Sequence, residues 1–475
     1  MKKIIIFCLL LVSFGLSAQD ISYEEFTFVS KQQDSVKAEY ASFNVKSNRK
    51  NASKDSIKLS FVRFKSTNPN PGPPIIYLAG GPGGSASGTA QRSRFPLFMK
   101  LREIADVIAL DQRGTGLSER LPDCPYRAEY DLLSPVDKEE YVKKTTENIK
   151  KCLQFWKDED INLEDYNTTE SAKDIDAVRQ KLDVEKVSLW GISYGSHLAF
   201  EYIRLFENHI HKVVLASMEG PDQTIKYPQN TENFLFKLAE LAEDNYGSTP
   251  KYPDLKEKMI AVHARLKEQP AKGSFKNRNG EMVEVAMSNF EVQSAISTFH
   301  LKNPEDSKDI PRIYNEMYNG DFNSVSTDVW VIKKYIYSNK SPMVFSMDMQ
   351  SGISEERASI VRQQIDKSIL GSSINFLLFE WMETIDYPML EDDFRTMKNN
   401  QVDALLLSGT LDGRTYVESA KAIAEHFENG QHVIIKNAGH DLYMTSPLIE
   451  SMVFDFFQGK ELNVKSIELK PTKFE

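Results

Sequence analysis

A chain of 475 residues is too long for one simple core and long enough for a large domain carrying a sizeable insertion. Its 41% apolar and 27% charged residues are those of an ordinary globular protein. A formal net charge of −10, with no cluster of lysine or arginine, argues against a nucleic-acid partner.

The chain starts Met1-Lys2-Lys3, runs through nine continuous apolar residues from Ile4 to Val12, and reaches small residues at Ser17-Ala18. A basic start, a short apolar run and a small-residue end describe a secretory signal peptide over 1–18. The run is well short of the ~20 residues that span a bilayer, and no other segment approaches that length. The expectation is therefore an exported product, periplasmic or secreted, with no membrane span. Removing the leader leaves Cys124 and Cys152, an even pair in an oxidising compartment, and a disulfide is expected. Closing that loop of roughly 29 residues is worth about 3–4 kcal/mol on the chain-entropy estimate.

Alternating apolar segments at 41–46 and 57–64 are followed by continuous apolar runs at 75–79, 107–110, 186–190, 213–216, 404–408 and 432–435. Continuous runs are expected of parallel strands covered on both faces. Helical patterns separate them, among them 171–182 after the possible caps Thr168 and Thr169. Strand and helix in alternation imply an α/β fold with a mainly parallel central sheet. The alternation stops near Glu219 and resumes near Val402. Between them lie helix-like segments at 231–242, 289–299 and 354–368, a hairpin turning at Asn279-Gly280, and many methionines and aromatics. Because this block interrupts the sheet just past a strand's C-terminal end, where ligands bind in open α/β sheets, it reads as a mostly helical lid. The expected organisation is a core over 19–220 and 396–475, with the lid over 221–395.

Gly191-Ile192-Ser193-Tyr194-Gly195 follows one apolar run and precedes a helical pattern, which is the strand, sharp turn and helix of a nucleophile elbow. The glycines are needed because the serine's backbone is strained and side chains beside it would collide with neighbouring backbone. Ser193 is the candidate nucleophile. Such a site needs Ser, then an acid, then His, in chain order. Of the eight histidines, only His426, His432 and His440 follow the late strand at 404–408; His426 lies in a helical run and His432 opens a strand. His440, in a loop past the last strand, is the candidate base. Asp412, in the loop after 404–408, is the acid that would orient it. The oxyanion needs two backbone N–H donors, expected from Tyr194 and from Gly81 in Gly80-Gly81-Pro82-Gly83-Gly84. That loop is not a phosphate cradle, since no Gly-Lys-Ser/Thr follows it. His209-x-His211 lacks a third ligand in pattern, so no metal and no cofactor is expected.

With these residues in place, the chain resembles the proline iminopeptidase and tripeptidyl aminopeptidase family of α/β-hydrolase serine peptidases. Three motifs carry the likeness: the 80–84 glycine loop, Asp111-Gln112-Arg113-Gly114-Thr115-Gly116-Leu117-Ser118, and the elbow; Leu411-Asp412 and Gly439-His440 complete it. It covers roughly 57–218 and 402–457 and is only loose in the lid. The resemblance implies an α/β-hydrolase fold and release of residues from peptides with a free N-terminus. It also implies carboxylates for the substrate's ammonium group, with Glu219 the first candidate and Glu383 the second. Leu78-Ala79 stands where many cytosolic proline iminopeptidases carry histidine, and the mature chain is longer, which looks closer to the exported tripeptidyl branch. Whether one, two or three residues are released stays open, and Arg113 reads as structural. A carboxylesterase or lipase with the same triad is the second enzyme reading, and a binding protein on a hydrolase scaffold is the reading from another class.

Overall fold

The computed structural model describes residues 21–50, 55–244, 251–338 and 341–475. The signal peptide expected at 1–18 lies outside the described residues. Twelve strands are present among them. They are β1 (Tyr23–Val29), β2 (Ser35–Lys46), β3 (Ser56–Phe64), β4 (Gly72–Leu78), β5 (Ala105–Asp111), β6 (Val187–Ser193), β7 (Ile210–Met218), β8 (Ala271–Lys276), β9 (Met282–Met287), β10 (Ala404–Gly409), β11 (Gly430–Lys436) and β12 (Ser466–Glu468).

All but β8 and β9 form one sheet in the order β1-β2-β3-β5-β4-β6-β7-β10-β11-β12. From β5 to β12 every pairing is parallel, while β1, β2 and β3 form an antiparallel meander on the β5 edge. Each continuous apolar run of the sequence lies in one of the parallel strands. The short runs at either edge, β1 and β12, were not expected; their largely exposed residues carry little of the core signal.

Alternate residues of the parallel strands feed two cores. Tyr77, Trp190, Val214 and Leu407 face one side, where the helices Phe95–Leu101 and Pro447–Phe457 cover them. Ile76, Leu189, Val213 and Leu406 face the other, under the helices Thr168–Lys181 and Tyr194–Phe206. Burying each such side chain fully is worth about 1.5–3 kcal/mol, so the sheet is a stiff platform for the loops at its C-terminal edge. The helix at Thr168–Lys181 is capped one residue earlier than expected. Asn167, not a threonine, accepts from the Glu170 N–H at 2.8 Å, and its extended backbone frees the side chain to do so.

Between β7 and β10 the chain leaves the sheet for a largely helical insertion that includes the β8–β9 hairpin. Its helices build cores of their own, around Leu235, Met259 and Tyr314 and around Phe345, Phe379 and Trp381. A second excursion, between β5 and β6, joins it. Its long helix Lys138–Asp158 starts at the Asp137 cap, and it donates from Tyr141 Oη to Glu291 at 2.8 Å and accepts at Thr145 Oγ1 from Trp381 Nε1 at 2.9 Å. The Cys124–Cys152 disulfide is formed, with Cα atoms 5.5 Å apart, and it staples this excursion. The sequence reading placed the whole cover after Glu219; the apolar face of this helix shows that part of it comes from before the elbow.

Candidate active site

Ser193 ends β6 with φ 56° and ψ −129°, a left-handed backbone that lifts its side chain off the sheet edge before the helix Tyr194–Phe206 begins. The flanking glycines are enforced by space. A Cβ on Gly195 would strike the Leu78 carbonyl oxygen, and one on Gly191 would come 2.8 Å from the Gly195 carbonyl oxygen. Gly80 is held as tightly, since a Cβ there would lie 2.9 Å from the Ile192 carbonyl oxygen and 3.7 Å from Ser193 Oγ. The glycine loop therefore sits directly against the serine.

His440 and Asp412 meet after β11 and β10. The imidazole Nδ1 lies 2.9 Å from Asp412 Oδ2 and 3.1 Å from Oδ1, and both side chains are buried. Thr415 donates to the same carboxylate from its N–H at 2.9 Å and its hydroxyl at 2.5 Å. Burial alone would raise the Asp412 carboxyl, but His440 and these hydrogen bonds hold it below its ordinary value, so it is an anion facing the ring. Ser193 and His440 line one cavity of about 530 Å³. Ser193 Oγ makes no hydrogen bond to His440 here; such links are often long in empty sites and tighten around substrate.

The glycine loop supplies the second element of the site. Gly81 has φ +130°, which only glycine takes readily, and its N–H has no hydrogen-bond partner among the described residues. The Tyr194 N–H opens a helix and so has no partner within it. The Tyr194 side chain is turned away, its hydroxyl 2.9 Å from Thr168 Oγ1, which leaves only its backbone for the site. The Asp-Gln-Arg-Gly turn braces this loop. Asp111 accepts from Ser85 Oγ at 2.9 Å and the Ser87 N–H at 3.1 Å, and Gln112 donates to the Ala79 carbonyl at 3.2 Å. Arg113 is fully buried and bidentate on Asp174 at 2.7 and 2.8 Å, away from the cavity wall.

The insertion does more than roof the cavity. The Lys302 carbonyl accepts from the His440 N–H at 3.0 Å, the Leu301 carbonyl accepts from the Gly413 N–H at 2.9 Å, and Asn303 Oδ1 accepts from the Asp441 N–H at 3.0 Å. Residues 301–303 thus splint the loops that carry the acid and the base. From the sheet side, Ser217 Oγ donates to the His440 carbonyl at 2.7 Å.

The two carboxylates considered for the substrate's ammonium group part company. Glu219 lines the cavity, with Oε2 in contact with Lys226 Nζ at 2.5 Å and Oε1 carrying no hydrogen bond among the described residues. Glu383 does not reach the cavity. The helix Leu378–Thr384 turns Leu378 and Trp381 inward, and at 100° per residue that periodicity sends Glu383 to the outer face, where Arg362 binds it at 2.8 Å. Sequence reasoning missed Lys226, Asp348 and Arg414 in the cavity wall. Arg414, two residues past the acid, could have been found from its place in the same loop; Asp348 and Lys226 carry no local signal.

The chain belongs to the α/β-hydrolase fold family, whose profile matches residues 73–447. Among curated proteins it is similar to a tripeptidyl aminopeptidase of Streptomyces coelicolor, 28% identical over 159 residues that make up 31% of this chain and 29% of that protein. It is also similar to the serine protease Hip1 of Mycobacterium tuberculosis, 25% identical over 174 residues, 35% of this chain and 33% of that protein. These matches span no more than about a third of the relatives' own length. A solved thermophilic esterase from Thermogutta terrifontis is 14% identical and covers 92% of this chain and 98% of its own, at a TM-score of 0.37, a likeness too slight to bear on activity.

Proposed function

We propose that this protein is an exported serine aminopeptidase that releases one to three residues from the free N-terminus of peptides. Ser193 Oγ attacks the scissile carbonyl while His440 takes its proton, and Asp412 holds the ring in the reactive tautomer. The N–H groups of Gly81 and Tyr194 receive the oxyanion. Collapse expels the amine, which takes the proton from His440, and water then hydrolyses the acyl-enzyme by the same steps. The disulfide, and the lack of any membrane-spanning helix among the described residues, are compatible with export.

The observation that carries the peptidase reading is Glu219, a carboxylate with one uncommitted oxygen in the same cavity as Ser193 and His440. A charge-assisted contact to a substrate ammonium group is worth about 1.5–3 kcal/mol. The second reading, a carboxylesterase with the same triad, draws on the apolar part of the wall at Val344, Phe345 and Trp381. The test compares peptide amides with free and acetylated N-termini. Acetylation is expected to lower kcat/KM by about 10- to 100-fold, the kinetic equivalent of that contact. Equal rates on both, or short esters cleaved far faster than any peptide, would overturn the reading.

A further inference from the structure

The basic side chains of the cavity wall are not equivalent. Lys226 is paired with Glu219 at 2.5 Å, while Lys302 and Arg94 lie 2.7 and 3.4 Å from Asp441. Arg414 makes no ion pair among the described residues. Its Nη2 donates to the Thr298 carbonyl at 2.9 Å and its guanidinium lies 5.0 Å from the centre of the Phe376 ring. An arginine has five N–H donors, so most of this fork is uncommitted. Burial pulls its pKa down, although Tyr416 and the carboxylates of Asp412 and Asp306 act in the opposite direction. Arg113 shows the contrast, since the same group elsewhere in the core is matched by Asp174.

Two further observations concern the walls of the cavity and its neighbouring recess. A small recess shares Glu219, Lys226, Arg414 and Thr415 with the cavity and adds Arg357, which stacks 4.0 Å from the Tyr227 ring centre and likewise makes no ion pair among the described residues. Thr224 lines the cavity with a buried hydroxyl that has no hydrogen-bond partner. A guanidinium without an ion pair and an unsatisfied buried hydroxyl are each groups that a ligand carboxylate can engage.

We propose that Arg414 is a specificity-determining residue that selects substrates whose N-terminal residue is aspartate or glutamate. The inference rests on the aminopeptidase reading. With the α-ammonium group on Glu219 Oε1, Arg414 is the cation without an ion pair that lines both the cavity and the recess beside Glu219, so a carboxylate a few bonds from that ammonium would meet it there. The side chains of aspartate and glutamate fit this requirement, while asparagine and glutamine keep the shape without the charge.

The experiment uses fluorogenic peptide amides that start with Asp, Glu, Asn or Gln; the amide leaving group removes any C-terminal carboxylate. The wild-type protein is expected to favour the acidic member of each pair at least about tenfold in kcat/KM, a typical yield of a charge-assisted pair. In Arg414→Gln that ratio falls towards one, chiefly through KM, and Arg414→Lys recovers part of it. Labelling of Ser193 by a fluorophosphonate shows that each variant is folded. Cleavage without an acidic preference, a preference that survives in Arg414→Gln, or chloride activation of acidic and neutral substrates alike would overturn this inference alone. Failure of the labelled wild-type protein to cleave any unblocked peptide would remove the aminopeptidase reading, and this inference with it.

Discussion

Arg113 beneath the sheet edge and Lys333 in the insertion are both fully buried cations held by carboxylates, yet they serve different regions. Arg113 joins the turn after β5 to the helix Thr168–Lys181 through Asp174, next to the Asp111 and Gln112 contacts that position the glycine loop. Lys333 lies 3.2 Å from Glu291 and donates to the carbonyls of Asp131 and Ser134 at 2.9 and 2.6 Å, tying the insertion to the excursion before β6. The first pair supports the turn that braces the glycine loop beside Ser193; the second holds two parts of the cover together. A buried ion pair reports how a region is fastened, and what it fastens decides whether activity depends on it.

The comparison can be broken directly. Lys333→Met should cost about 3–5 kcal/mol in urea unfolding, because it leaves the buried Glu291 without its counter-charge, and Arg113→Met should cost less, because Arg49 still pairs with Asp174 at 2.7 Å. Only Arg113→Met should also lower kcat well beyond its loss of folded protein. A larger loss of kcat in Lys333→Met would show that the cover, not the turn, sets the geometry of the oxyanion loop.

A smaller effect sharpens the same contrast through pH. His263 is buried in the insertion between Asn289 Oδ1 at 2.8 Å and Tyr314 Oη at 2.9 Å, and burial pulls it down to about 4. Because the folded pKa lies below the unfolded value of about 6.5, the unfolded chain binds the proton first. The contribution is complete above pH 6.5 and is lost as pH falls towards 4. From pH 7.5 to 4.5 the wild-type protein should lose up to about 3 kcal/mol more stability than His263→Gln, which does not titrate. Equal losses in unfolding curves of the two proteins would remove His263 from the account.

The two regions also differ in how far the sequence discloses them. The parallel strands were legible because burial on both faces demands continuous apolar runs, as in Ala404–Gly409. The elbow was legible because Gly191 and Gly195 have no room for a side chain and the serine between them needs a left-handed backbone. Asp412 and His440 followed from chain order and from their loops, and the structure brings them within hydrogen-bonding distance. The cover is different. Many apolar residues can fill a helix interface, so Lys138–Asp158 could not be assigned to it from its pattern, and Glu383 was expected at the site although its helix faces it outward. Arg414 shares a recess with Glu219 only through tertiary folding that brings the loops after β7 and β10 together, whereas Lys226 turns back onto Glu219 within the loop after β7.

The central claim is that Ser193 is made nucleophilic by the His440–Asp412 pair. Its most direct measurement is the rate of fluorophosphonate labelling in the wild-type protein, Ser193→Ala and His440→Ala, with folding checked by thermal melting. The account predicts rapid labelling of one site in the wild-type protein, none in Ser193→Ala, and labelling slowed by at least about 10³-fold in folded His440→Ala. Labelling of His440→Ala at the wild-type rate, or of Ser193→Ala at all, would contradict it.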